Sequence, residues 1–197
     1  MATKKSAKKS AKKSAKKPVR KSAPKRMAAK RAAPNDKDLS DLFHDTLKDI
    51  YFAEKQILKA LPKMAKAAHS ADLSAAFKKH HIETEGQVDR LEQVFELIDK
   101  PAKAKTCDAI MGILDEGKEI MDEYKGTEAL DAGLLAAAQA VEHYEIARYG
   151  TLKAWASKLG MTEAVRLLDE TLQQEHNTDE ALTTLALAEV NTEAMAA

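Results

Sequence analysis

Residues 38–68 read DLSDLFHDTLKDIYFAEKQILKALPKMAKAA. Leu39, Leu42, Phe43, Leu47, Ile50, Ile57, Leu58, Leu61 and Met64 recur every three or four residues, the spacing that gathers side chains on one face of a helix. The stripe requires an apolar residue at position 54, between Ile50 and Ile57, and carries Glu54 instead. The helix is expected from about Asp38 to Ala68, with Asn35 and Asp36 as N-caps and Pro62 kinking it or shortening its last turns.

The same pattern continues along the chain. After Ser70 a second helix shows Leu73, Phe77, Leu91, Val94 and Ile98 and ends at Lys100-Pro101. A shorter amphipathic helix is expected from about Cys107 to Tyr124, closed by Gly126. Thr127 should cap a third long helix from about Glu128 to Leu159. Gly160 breaks the chain, and Thr162 caps a fourth that runs to about Val190. No segment alternates with the period of two that marks a strand. Two tight helical hairpins joined by a long crossover with a short extra helix describe an all-α, ferritin-like four-helix bundle over residues 35–197.

Each long helix repeats the interruption seen at Glu54. The second seam passes through His80, Thr84 and Gln87, with Glu83 one residue off the line. The third carries Glu142 and Glu145, and the fourth Glu175 and Asp179. With hairpin turns near residues 70 and 160, these positions fall within a turn of one another at about 1.5 Å per residue. A layer of buried, unpaired carboxylates would be costly unless cations or protons neutralise it. Carboxylates with an imidazole suit Fe(II) or Mn(II), so the expected cofactor is a pair of Fe or Mn ions held by Glu54, His80, Glu83, Glu142, Glu145, Glu175 and Asp179. A single Glu on an apolar stripe is ordinarily a snorkelling side chain, and a lone inward His is as often a hydrogen-bonded core residue as a ligand. His143 and His176 sit one residue off their seams and read as surface or supporting groups. Tyr51, Tyr144, Tyr149 and Trp155 fit packing at helical spacing, and Tyr51, one turn before Glu54, is placed to hydrogen-bond a carboxylate.

Residues 1–34 are a different object. They hold eleven Lys and three Arg with no acidic or aromatic residue, which leaves 18 basic residues against all 31 acidic ones in the remainder, a net of −13 hidden under an overall +1. The cations are Lys4, Lys5, Lys8, Lys9, Lys12, Lys13, Lys16, Lys17, Arg20, Lys21, Lys25, Arg26, Lys30 and Arg31, the first eight spaced as a four-residue repeat. With nothing apolar to bury, this tail is expected to be disordered on its own. Its Ala/Lys/Ser/Pro composition resembles the tails of linker histones and bacterial histone-like proteins. A polycation of this kind binds phosphates by counterion release without sequence preference, so DNA is the expected partner. The alternative is a solubilising tail that folds back on its own acidic body. The single cysteine, Cys107, excludes an internal disulfide. No apolar run is long enough for a membrane helix and no secretory signal is visible, so the expected location is cytoplasmic and nucleoid-associated.

Four separated motifs then carry a resemblance. Tyr51-Phe-Ala-Glu54-Lys-Gln56, Ala60-Leu-Pro62-Lys-Met64, Glu83-Thr84-Glu-Gly-Gln87-Val-x-Arg90-Leu91-Glu92 and Glu142-His-Tyr-Glu145-Ile-Ala-x-Tyr149-Gly150 resemble the YciF family of bacterial stress-associated, ferritin-like proteins. The resemblance covers about Asp38 to Ala188 and leaves the tail outside. It implies a rubrerythrin-like bundle, a tendency to dimerise, induction under stress and a di-metal centre, but no established reaction. The wider ferritin-like pattern has Glu-x-x-His on two helices, and this chain has none. His80-x-x-Glu83, Glu142-x-x-Glu145 and Glu175-x-x-x-Asp179 stand in its place, an oxygen-rich set that also admits manganese or calcium.

Two functions are therefore expected to be separable. One is a redox protein that oxidises Fe(II) or consumes peroxide at a carboxylate-rich di-metal site, tethered to DNA by its tail. The other is a non-enzymatic DNA-compacting protein whose bundle is a dimerising spacer. A spacer would have no use for acids on four buried seams.

Overall fold

The structure is a computed structural model that describes Met1 and residues 36–195; the fourteen tail cations lie outside the described residues. Four long helices form the bundle: α1 (Leu39–Ala67), α2 (Ala71–Leu97), α4 (Leu130–Lys158) and α5 (Thr162–Leu185). The shorter α3 (Asp108–Glu123) lies in the crossover between the hairpins. A π-helical turn (Ala186–Val190) and a last turn, α6 (Asn191–Ala194), extend α5. Helix α1 pairs with α2 and α4 with α5; α2 then packs on α5 and α1 on α4, while α3 covers α4 and α1. Among the described residues there is no strand, and no helix is long and apolar enough to cross a membrane.

Local chemistry sets the helix ends. Asp38, rather than Asn35 or Asp36, caps α1: its carboxylate accepts from the Asp41 amide at 3.0 Å while the Asp41 carboxylate accepts from the Asp38 amide at 3.1 Å. This reciprocal capping box satisfies two otherwise orphaned donors. Ser70 caps α2 by accepting from the Leu73 amide. Asp99 (φ 55°) and Gly160 (φ 77°) adopt the left-handed conformation that ends α2 and α4, returning amides to the last-turn carbonyls.

Several expectations are corrected. Helix α1 continues through Pro62 to Ala67. Pro62 is exposed, and the buried Leu61, Met64 and Ala65 around it hold the last turns in place despite the missing amide. Leu42 is 48% exposed rather than part of the core, because its neighbour Phe43 takes the buried position. Thr127 does not cap α4; its hydroxyl donates to the Tyr124 carbonyl and closes α3. Thr162 is the first residue of α5, with no side-chain cap. Helix α5 stops at Leu185, where the backbone relaxes into the π-helical turn.

The core runs the length of the bundle through Phe43, Leu47, Ile50, Leu73, Phe77, Leu91, Leu152 and Leu168. Asp131, in the first turn of α4, fastens the two hairpins together. It is buried and accepts from the amides of His69 at 2.9 Å and Ser70 at 2.6 Å, at the α1–α2 turn. A carboxylate at the N-terminus of α2 also meets the positive end of that helix dipole.

Candidate metal centre

Helical spacing forces the acids inward. Glu54 lies between Ile50 and Ile57, His80 between Phe77 and Thr84, Glu142 and Glu145 between Ala138 and Tyr149, and Glu175 between Thr171 and Leu182. All of these neighbours are buried, so no helix can turn its polar residue to solvent without exposing apolar ones. Glu54, Glu145 and Glu175 are fully buried, Glu142 is 1% exposed and His80 3%.

Four of these side chains meet at one point. His80, Glu142, Glu145 and Glu175 each offer a ligand atom, and those atoms all lie within 4.8 Å of one another. Glu54 adjoins them, within hydrogen-bonding reach of Glu145, and Glu142 stands in the same relation to Glu175. His80 Nε2 approaches Glu142 Oε1 at 3.2 Å, but without the alignment of a hydrogen bond.

The electrostatics follow from burial. Loss of solvation is the leading cause in every case: it raises Glu54 to about 7 and Glu142 to about 8, and lifts Glu145 and Glu175 well above the ordinary carboxyl range. The neighbouring carboxylates push Glu145 and Glu175 further in the same direction, while at Glu142 the contact with Glu175 opposes the rise and the charges of Glu54, Asp179 and Glu83 add to it. Burial also lowers His80 to about 4, which leaves a neutral imidazole with a nitrogen lone pair available. Among the described residues, Glu54 Oε2, Glu142 Oε2, both oxygens of Glu145, both of Glu175 and both nitrogens of His80 are buried without a hydrogen-bond partner. So many orphaned acceptors in one place, oxygens with an imidazole, could hold a metal ion.

Two of the expected site residues stand apart from this cluster. Glu83 sits at its rim: its side chain is 22% exposed, Oε1 pairs with Lys79 at 3.0 Å, and only Oε2 is buried without a partner. Asp179 is 24% exposed and turned outward, accepting from Gln139 Nε2 at 3.1 Å and pairing with His143 at 3.2 Å. Each lies one residue off its buried seam, where Thr84 and Thr178 take the inward positions. His143 and His176 are exposed.

Spacing did not single out Tyr149. It is fully buried and donates its phenolic hydrogen to Glu54 Oε1 across the bundle. Its place one turn after Glu145 on the same seam was the available signal. Tyr51 does hydrogen-bond a carboxylate, but that of Glu92 at 2.6 Å rather than Glu54. Behind the centre, Arg90 donates to Thr171 at 2.8 Å, to Glu170 at 3.1 Å and to Gln174, tying α2 to α5.

Fold and site together define a ferritin-like helical bundle with a buried carboxylate–imidazole centre. The family described as "Domain of unknown function (DUF892)" matches residues 38–195, and the chain belongs to it. Protein YciF of Escherichia coli (strain K12) is 45% identical over 161 residues, which span 81% of this chain and 97% of that protein. The crystal structure of the E. coli stress protein YciF superposes with a TM-score of 0.76, covering 79% of this chain and 99% of that one at 45% identity. YcfI of Rhodopseudomonas palustris gives 0.74 at 44% identity, with 78% and 98% covered. A protein from Xanthomonas campestris shares the fold alone, at 23% identity and a TM-score of 0.61 over 79% and 94% of the two chains.

Proposed function

We propose that the buried centre binds two Fe or Mn ions and that the bundle is a stress-protective oxidoreductase, oxidising Fe(II) or consuming peroxide. The observation that carries this reading is the set of orphaned oxygens and nitrogens on His80, Glu142, Glu145 and Glu175, all within 4.8 Å. Those four would hold one ion, and Glu54 and Glu83 supply the further carboxylates for a second. Iron or manganese there would supply a one-electron redox couple. The chain's own residues bind and orient: Tyr149 fixes the Glu54 carboxylate, and the apolar seams exclude water. In the metal-free bundle burial raises Glu54 and Glu142 to about 7 and 8, so metal entering near neutral pH would displace their protons.

The tail adds a location. Fourteen cations without an acid favour a tether to DNA, which would keep a metal-oxidising bundle beside the polymer most exposed to radicals, in the cytoplasm and on the nucleoid. Pairing of two bundles would strengthen such a tether by raising the effective concentration of the second tail. The test of the metal reading is elemental analysis after reconstitution with Fe(II) and with Mn(II). Wild-type protein should hold about two ions per chain and E54A and E142A much less. Near-zero metal in all three proteins would refute it and leave the DNA-compacting spacer as the better reading.

A further inference from the structure

Gln87 is buried on the α2 seam that carries His80 and Thr84, and its neighbours fix which way its amide faces. A guanidinium has donors only, so the Gln174 atom that meets Arg90 must be the carbonyl oxygen. That same oxygen faces the Gln87 amide at 3.4 Å, where only the NH2 group, Nε2, can meet it. Arg90 is held in turn by Thr171 at 2.8 Å and Glu170 at 3.1 Å. The chain from Arg90 through Gln174 to Gln87 therefore leaves the Gln87 carbonyl oxygen turned away from Gln174, buried and without a hydrogen-bond partner. The hydroxyl of Thr84, next on the seam, does not serve it, because it donates to the His80 carbonyl at 2.8 Å.

Position gives that oxygen a purpose. Gln174 precedes Glu175 in α5, so the contact sets Gln87 at the height of the acid layer. Arg90, one turn further along α2, is near enough to favour the charged form of Glu54. Ionised Glu54, Glu145 and Glu175 are acceptors and cannot satisfy a carbonyl; a cation can, and a carbonyl oxygen is a hard, uncharged ligand. We propose that Gln87 is the neutral oxygen ligand of the second ion, beside Glu54, an assignment that rests on the metal reading above. His80 gives the first position a nitrogen donor, and Gln87 leaves the second with oxygens alone. Oxygen-only donor sets suit Mn(II) better than ions that favour imidazole, such as Zn(II), so the second position is a manganese-type site. A carbonyl also adds no charge to a layer in which Glu54, Glu142, Glu145 and Glu175 are already buried.

Titration of metal-free, full-length protein with Mn(II), read by the electron paramagnetic resonance signal of the free ion, tests the assignment. Wild type should bind about two ions. Gln87→Leu should keep the first and weaken the second by about tenfold or more, whereas Gln87→Glu, which restores an oxygen, should hold both. Gln174→Leu leaves Gln87 in place but frees its amide to turn, and should weaken the second ion by a smaller factor. Gln87→His should move the preference of the second position from Mn(II) towards Zn(II). A purely structural Gln87 would instead lower the melting temperature of Gln87→Leu and leave its second Mn(II) affinity unchanged. That result would overturn the proposal while the metal reading stands, as would equal second-ion affinity in wild type and Gln174→Leu should Gln87→Leu not fold. A wild type that binds one Mn(II) or none would overturn it as well, and one that also binds no Fe(II) would refute the metal reading with it.

Discussion

Tyr149 on α4 donates to Glu54 on α1, 95 residues away in sequence, and both side chains are fully buried. Among the described residues the phenol supplies the one hydrogen bond that Glu54 accepts from outside the carboxylate cluster, and it opposes the rise that burial imposes on this acid. Tyr149→Phe should therefore destabilise the metal-free bundle by about 1–3 kcal/mol, the cost of an unsatisfied buried acceptor. The loss should be larger at pH 8 than at pH 6, because Glu54 titrates near 7 and the protonated acid needs the donor less. Urea unfolding at the two pH values measures both effects.

The acid layer predicts an unusual stability profile for metal-free protein. Glu54, Glu142, Glu145 and Glu175 all have folded pKa values above the unfolded value of 4.5, so between about pH 4.5 and 8 the folded state binds more protons than the unfolded chain. Stability must rise as pH falls through that window. His80 acts with the opposite sign: its folded pKa is about 4 against 6.5, so below about pH 6.5 it removes stability. The melting temperature should climb from pH 8 towards about pH 5, more gradually below about 6.5, because four acids outweigh one imidazole. A steady fall over the upper part of this range would contradict the assignment of these acids to a buried, unpaired layer.

Metal should reverse that slope. Ions that bind only the folded bundle add roughly 2.7 kcal/mol at a hundredfold excess over the dissociation constant. They also require deprotonated carboxylates, so acid should release them. With Fe(II) or Mn(II) present, the melting temperature should fall from pH 8 to 6.5, the reverse of the metal-free trend. Glu145→Gln should separate the two states: it should stabilise the metal-free protein by removing an acid that must take up a proton to be buried, and destabilise the metal-bound one by removing a ligand. Calorimetry with and without a chelator reads all four combinations.

Asp131 is expected to matter for stability alone. Asp131→Ala removes the acceptor for the His69 and Ser70 amides at the α1–α2 turn and should cost about 1–3 kcal/mol. Amide exchange should quicken at His69 and Ser70 in particular, with metal content unchanged.

The tail predicts DNA binding of a particular kind. If about half of its charges engage phosphates at once, log affinity should fall with log salt at a slope on the order of −6 and show little sequence preference. Deleting residues 1–34 should abolish binding and leave metal content intact. Anisotropy titrations at several salt concentrations measure this, and failure of the full-length protein to bind duplex at low salt would show that the acidic body holds the tail.

Much of this protein is determined by local rules that a sequence exposes. Three- and four-residue spacing fixed the long helices, Ser70 and Gly160 marked the hairpin turns, and an acid between Ile50 and Ile57 had to face inward once that stripe was buried. The same rule pointed to His80, Glu142, Glu145 and Glu175. Spacing also put Asp179 on the fourth seam and Glu83 beside the second, and it misjudged how far each turns in, because successive residues on a helix are about 100° apart and a residue near a seam faces inward or outward according to how the helix is rotated against its neighbours. Packing between helices settled that rotation: Thr84 and Thr178 point in, and Glu83 and Asp179 turn towards Lys79 and His143. Tyr149 on Glu54, Asp131 on the α1–α2 turn and Gln87 on Gln174 likewise join residues from different helices. Periodicity describes each helix by itself, so contacts of this kind arise only when the bundle closes.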